Sequence, residues 1–231
     1  MVLQMQGSVD VAGRVVDWNH DVWSYTHSGR PRAMEGHSNL LAAWHMEKAL
    51  PRPEPRAGGG SHGGIHRNAD PLYAFPKRRV VKHFVADSPL RVSALRGLGA
   101  YGNVFAIESF MDELALAAKI DPVQFRLRHL EDERARAVIE AAAEKAGWRQ
   151  GVREGGCGEG RGVGIGFAQY KNEKCYAAVI AQVCVEGDQI LLERMVVAAD
   201  AGQIVNPDGM ANQLEGGVMQ AASWTLKEEL C

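Results

Sequence analysis

The stretch RVSALRGLGAYGN, Arg91–Asn103, holds a G-x-G-x-x-G at Gly97, Gly99 and Gly102, just ahead of a helical pattern. A dinucleotide-binding turn needs a buried parallel strand before it and an acidic residue ending the next strand, about 20 residues on. Neither is present. Ser88-Pro89-Leu90-Arg91 carries a Pro and an Arg where a buried strand is apolar. Asp121 stands at a tempting distance, but it precedes Pro122 and so reads as a helix cap. No NAD is expected. What remains is a glycine turn feeding a helix N-terminus, with Arg96 at its mouth. Free backbone N–H groups and the helix dipole favour an anion or an oxo group there, and glycine lets a backbone come close. A tight strand-to-helix turn, with Arg96 pairing a carboxylate, is the plainer alternative.

Val104, Ile107, Met111, Leu114 and Ala118 then recur at helical spacing over 103–119. Glu108, Asp112 and Glu113 between them read as the solvated face. Asp121-Pro122 opens a second helix to about His129, and Glu133–Ala146 is a third, closed by Gly147. Upstream, residues 8–24 alternate as a hairpin turning at Ala12-Gly13, and Val80–Val85 is a short strand. Between them, Ala57–Asn68, AGGGSHGGIHRN, reads as a flexible surface linker. His62 and His66 lie four apart on it, but off a helix, so metal-ligand spacing does not apply.

Downstream, 150–159 is glycine-rich and charged, a linker. Gly160, Gly162, Gly164 and Gly166 then put glycine at every second position. In a strand that leaves one face bare for a backbone or a ligand. Ala177–Val185 and Gln189–Ala199 form a hairpin across Gly187-Asp188. Asn206-Pro207 starts a last helix through Glu229, with Gly216-Gly217 in its middle. Two mid-helix glycines cost about 2 kcal/mol relative to alanine, which points to close packing. Gln213, Gly217 and Gln220 share one face. That amide-lined, backbone-accessible stripe suits a heterocycle with hydrogen-bonding edges.

The bulk numbers narrow the function class. A chain of 231 residues suits one large domain or two small ones. Lys plus Arg is 26 and Asp plus Glu is 28, a formal charge of -2, so no basic excess points to nucleic acid. Cys157, Cys175, Cys184 and Cys231 show no C-x-x-C and read as reduced thiols, not zinc ligands. No apolar run of about 18 residues exists, and no signal peptide pattern, so the expectation is a cytoplasmic chain without a transmembrane segment. No G-x-S-x-G and no Ser/His/Asp set can be assembled. A strand pair is under way just after Met1, and the last helix reaches Leu230-Cys231 with no stop signal, so both ends read as cut from something larger.

Taken together, RVSALRGLGAYGNVFAIESFMDELALAAKIDPVQFRLRHL and DAGQIVNPDGMANQLEGGVMQAASWTLKEEL resemble the molybdopterin-binding large subunit of the xanthine dehydrogenase/aldehyde oxidase family. RNADPLYAFPKRRVVKHF and GRGVGIGFAQYKNEKCYAAV are similar to its isoquinoline/nicotinate-dehydrogenase-type members. The resemblance implies an α+β (mixed α/β) fold with antiparallel hairpins packed on helices. It implies parts of two molybdopterin-binding subdomains, over 1–118 and 160–231, with a helical connector over 119–149 and a linker over 150–159. The implied cofactor is molybdopterin or its cytosine dinucleotide form. The main chain of Arg96 would sit beside the molybdenum, with Gly97 at the cofactor and Leu98 in the substrate pocket, where many members place an aromatic. Gln213 would hydrogen-bond the pterin, and Asn206-Pro207 with Gly216-Gly217 would bring that helix close to it.

The implied reaction is oxidative hydroxylation of an aldehyde or an N-heterocycle carbon. Electrons would leave through a small iron–sulfur subunit, in this subgroup toward a cytochrome c acceptor, with inner-membrane association through such partners. The family's catalytic glutamate lies in a Gly-x-Gly-Glu segment expected beyond Cys231, and Glu215, Glu228 and Glu229 do not match it. The expectation is therefore an internal fragment of a large subunit, inactive alone. The competing expectation is a degenerate fragment acting as a scaffold or interaction module.

Overall fold

The computed structural model describes residues 1–31, 40–90, 92–148 and 160–228. The expected linker 150–159 with Cys157, and also Arg91, Glu229 and Cys231, lies outside the described residues. The architecture is α+β: two three-stranded sheets and four α-helices among the described residues. Contacts divide the chain into two compact units. The first comprises Met1–Asp10, Val15–Pro71 and Phe75–Phe110, and the second Val11–Arg14, Leu72–Ala74 and Met111–Cys231.

In the first unit, β1 (Val2–Val9) and β2 (Val15–Ser24) form the expected antiparallel hairpin, with β1 starting earlier than the pattern suggested. Strand β2 alternates cleanly, burying Trp18, His20, Val22 and Ser24 on one face. Trp18 is the anchor, its ring 4.8 Å from Phe75 and 5.3 Å from Phe110. Burying such a side chain contributes about 3 kcal/mol. Strand β3 (Arg78–Phe84) pairs with β2 in parallel, which departs from a sheet of antiparallel hairpins alone. A parallel partner needs a long crossover, and residues 25–77 supply it. On the outer face Asp21 accepts hydrogen bonds from Arg79 and His83, and Trp23 stacks on the His83 ring at 4.3 Å.

The crossover also corrects the expectation for 57–68. This segment is not a surface linker. Its Gly64 and Ile65 are buried, Ile65 fully, in a 3-10 turn over Gly64–His66. Apolar Ile65 gives the loop a side chain to bury, and the glycines around it let two backbones meet. His66 Nε2 pairs with Gly60 O at 2.7 Å within the same loop.

Helix α1 (Ala100–Ala117) belongs to the first unit through Phe110 and to the second from Met111. The second unit continues with α2 (Pro122–Arg128) and α3 (Glu133–Ala146). An antiparallel sheet follows, of β4 (Arg161–Gln169), β5 (Tyr176–Glu186) and β6 (Gln189–Asp200). Helix α4 (Pro207–Leu226) ends it. The caps read at Asp121 and Gly147 stand, and Asp132 adds one that the sequence reading did not name. Asp121 accepts from the Val123 and Gln124 N–H groups, Asp132 from those of Arg134 and Ala135, and Gly147 closes α3 at φ 70°. Each carboxylate cap contributes about 1 kcal/mol. Helix α3 buries Ala135, Val138, Ile139 and Ala142 and packs on β5 and β6.

The solvated carboxylate face expected on α1 holds only at Glu113. Glu108 is 7% exposed. Asp112 accepts from Arg126 Nη1 at 2.8 Å. Arg126 itself is fully buried and also donates to the carbonyls of Pro122 and Ile165. Helical spacing could not separate Asp112 from a solvated carboxylate, because its partner is a cation arriving from α2.

Candidate functional site

The Arg96–Gly102 turn is built by four backbone hydrogen bonds. Leu98 N–H donates to Leu95 O at 3.1 Å, Gly99 N–H to Gly64 O at 3.2 Å, Ala100 N–H to Gly97 O at 3.1 Å and Asn103 N–H to Gly99 O at 3.0 Å. No strand runs into it, since 92–95 are irregular. These bonds use the N–H groups of Leu98, Gly99 and Ala100 within the chain. The helix also begins at Ala100, before the expected Asn103.

The three glycines have three different reasons. Gly97 adopts φ +86°, and a Cβ there would meet Tyr101 at ordinary van der Waals distance, 3.7 Å from its N and 3.8 Å from its Cβ, so it would clash with nothing. At Gly99 a Cβ would lie 2.5 Å from Ile65 O and 2.6 Å from Gly64 O, so the 57–68 loop sits directly on it. At Gly102 a Cβ would press on the flexible end of Met1. Asn103 Nδ2 fastens the same loop by donating to Ile65 O at 3.0 Å and Arg67 O at 2.9 Å. Arg96 is exposed, and Leu98 is half-buried at φ +53°, a left-handed conformation uncommon for a non-glycine residue.

The second candidate surface is α4. Asn206 Oδ1 accepts from Gly209 N–H at 2.9 Å, capping the helix as read. Gln213 and Gly216 are exposed, and Gly217 and Gln220 half-buried. Arg96, Gly97 and Leu98 therefore lie in the first unit, and Gln213, Gly216 and Gly217 in the second. The glycine strand keeps its bare face: a Cβ at Gly164 or Gly166 would meet nothing within 4 Å.

Sequence reasoning missed one polar network. Arg134 grips Asp200 with two hydrogen bonds of 2.7 Å and lies over the Tyr176 ring, 5.1 Å from its centroid. The Tyr176 hydroxyl donates to Asp132 at 2.6 Å. Asp200 also accepts from Gly202 N–H. The Arg134 guanidinium, then the Gly202 N–H, hold the Asp200 carboxyl down at about 2. The Tyr176 hydroxyl lowers Asp132, and Asp132 in turn raises Tyr176. This fixes the start of the 200–206 connection that delivers the α4 cap. The only sequence signal is an acid before a glycine in AADAG, 66 residues from its arginine.

Among the described residues no group of three His, Cys, Asp or Glu side chains could hold a metal ion, and no helix is long and apolar enough to cross a membrane. At both surfaces a glycine leaves the backbone without a side chain, at Gly97 and at Gly216–Gly217.

Comparison with known proteins gives the family. Two family models described as molybdopterin cofactor-binding domain match the chain, one over 56–130 and one over 109–231. The nicotinate dehydrogenase of Pseudomonas putida has a chain that is 38% identical over 71% of this one and 15% of its own length. The beta chain of the isoquinoline 1-oxidoreductase of Brevundimonas diminuta is 32% identical over 60% of this chain and 18% of its own. The chain thus spans about a sixth of the length of these curated relatives. The solved aldehyde oxidoreductase of Desulfovibrio gigas aligns with 82% of this chain and 20% of its own, at 19% identity and a TM-score of 0.42. The second family model covers more than half of the chain, which therefore belongs to the molybdopterin cofactor-binding domain family.

Proposed function

We propose that this member of the molybdopterin cofactor-binding family supplies two binding surfaces to a molybdenum hydroxylase: the Arg96–Gly97 turn and the Gln213–Gly216–Gly217 face of α4. Helix α4 carries the proposal. None of its 20 residues is buried, yet it holds two adjacent glycines and an exposed glutamine at its centre. Glycine there costs about 1 kcal/mol each in helix propensity, and a heterocycle resting on the backbone is a use for that gap. The Gln213 amide would donate and accept at the pterin edge. Gly216 and Gly217 would let the ring reach van der Waals contact with the helix.

At the other surface, Gly97 carries no side chain beside the exposed Arg96, so the main chain of Arg96 and Gly97 would face the metal's ligand sphere. Leu98 would line the substrate pocket. Its left-handed backbone costs about 1 kcal/mol, and the bonds around the turn hold it there, fixing where its side chain stands. When bound, the cofactor supplies the redox chemistry for oxidative hydroxylation of an aldehyde or N-heterocycle carbon; the residues here bind and orient it. The names of the two relatives, nicotinate dehydrogenase and isoquinoline oxidoreductase, favour the N-heterocycle class. The proposal includes the cytosine dinucleotide form of the cofactor, a small iron–sulfur partner and a cytochrome c acceptor. None of the chain's own glutamates takes the role of base, and the purified chain alone is expected to turn over no aldehyde or N-heterocycle.

The test is to produce the chain in a host that makes the cofactor, then measure bound molybdenum by mass spectrometry and oxidised pterin by fluorescence. Both should co-purify with the wild-type chain and fall in Gln213→Leu and Gly217→Val variants of unchanged circular dichroism. Wild-type chain without pterin, or variants that keep it in full, would overturn the assignment and leave the scaffold reading.

A further inference from the structure

The first unit contains a cavity of about 740 Å³ that the cofactor surfaces leave unassigned. Its size lies in the range of small-molecule pockets. Its walls come from the segment after β2, the stretch 52–59 and the segment after β3. These segments are pinned together. Thr26 Oγ1 donates to Arg56 O at 2.6 Å and accepts from Ser28 N–H at 3.2 Å. Gly29 packs so tightly on the Val92 carbonyl that no side chain fits between them.

The chemistry of the lining is uneven. Arg30, Arg52 and Arg56 face it against two acids, Glu54 and Asp87. Among the described residues none of these three arginines forms an ion pair. The Arg52 guanidinium lies 5.5 Å from the centroid of the Trp44 ring. Trp44 is only 6% exposed, and its Nε1–H is buried with no acceptor among the described residues. The wall therefore combines surplus guanidinium donors with an aromatic side chain. A small inorganic anion would meet the charge but leave the aromatic wall and most of the volume unused. A neutral ring would leave the guanidiniums unpaired. A flat organic acid meets both, its carboxylate forked by guanidinium and its ring against indole and arginine plane.

We infer that this cavity binds a small aromatic carboxylate, placed by Arg52 and Arg56 against Trp44. Binding is a property of the chain itself and holds whether or not pterin is bound.

Isothermal titration of the full chain with 2-naphthoate, 2-naphthamide and inorganic phosphate tests it. The acid should bind at least about tenfold tighter than the amide, the return of one charge-assisted hydrogen bond, and tighter than phosphate. Arg52→Gln should erase the preference for acid over amide. Arg56→Gln reads the same contrast should Arg52→Gln lose its native circular dichroism. Equal affinity for acid and amide, phosphate matching the acid, or no binding by a natively folded chain would each overturn the inference.

Discussion

Gly99→Ala is the sharpest probe of how the glycine turn is held. The added Cβ would lie 2.5 Å from Ile65 O, 2.6 Å from Gly64 O and 2.7 Å from the Ile65 carbonyl carbon, whereas ordinary contact begins at 3.4 Å. All three are backbone atoms, so no side chain can swing aside. The loop must retreat by roughly 1 Å, the gap between those distances. That retreat pulls Gly64 O from the Gly99 N–H, now at 3.2 Å, and Ile65 O from Asn103 Nδ2, now at 3.0 Å. Overpacking of one methyl costs about 1–3 kcal/mol, and each weakened hydrogen bond up to about 1 kcal/mol. Loss of unfolded-state entropy returns about 0.5 kcal/mol. The net expectation is a loss of about 3 kcal/mol, a fall of about 1 M in the urea midpoint followed by tryptophan fluorescence. Gly59→Ala is the control, since nothing lies within 4 Å of its Cβ, and it should change stability by less than about 0.5 kcal/mol. Gly97→Ala lies between, with no clash but a φ of +86° that costs about 1 kcal/mol. If Gly99→Ala unfolds with the Gly59→Ala control, the 57–68 loop is not seated on α1 and the account of this turn is wrong.

Three further outcomes follow from the packing and the charges. Asp112→Ala removes a carboxylate partner of the fully buried Arg126 guanidinium and should cost about 3 kcal/mol, most of it recovered in Asp112→Ala/Arg126→Met; a double variant as unstable as the single would contradict this in urea denaturation. Asp200 titrates at about 2 when folded against an ordinary 3.8, so its stabilising effect is complete above 3.8 and is lost as pH falls toward 2. Thermal melts from about pH 5 to pH 2 should show a shallower loss in Asp200→Asn than in wild type, and equal slopes would refute the assignment. Burial, the largest influence, lowers the folded value of His20 below 6.5 despite its bond to Ala69 O, and does the same to His27. The unfolded chain then takes protons first, so stability should decline once pH drops below about 6.5, and a melting temperature unchanged between about pH 7.5 and 5.5 would rule this out.

What was legible in the sequence was local. Asp121-Pro122, Gly147 and Asn206-Pro207 act within one turn of themselves, so their caps could be read residue by residue. The β5–β6 hairpin was equally readable, because Gly187-Asp188 joins strands adjacent in sequence. What escaped was set at long range. Strand β3 joins β2 in parallel across a 53-residue crossover, 25–77, which no pattern in either strand announces. Arg126 reaches 14 residues back to Asp112 and 39 forward to Ile165, which turns a carboxylate of ordinary helical spacing into half of a buried pair. Arg134 and Asp200 are 66 residues apart.

The glycine turn shows why a spacing motif alone misleads about chemistry. Gly97, Gly99 and Gly102 satisfy one pattern but answer three demands: a left-handed backbone, a loop seated against the backbone and room for Met1. The first lies beside the exposed Arg96, and the N–H groups of Leu98, Gly99 and Ala100 are paired within the chain. An anion drawn by the helix dipole would have to compete with those bonds. A ligand sphere that approaches the main chain at Arg96–Gly97 would not. The same logic separates α4 from an ordinary packed helix. A glycine pair needed for close packing should be buried by what it packs on, whereas Gly216 is exposed and Gly217 half-buried. The two candidate surfaces thus share one physical property, a backbone made approachable at a cost in intrinsic stability, and that shared property, more than any spacing of glycines, argues for a cofactor recognised through its edges.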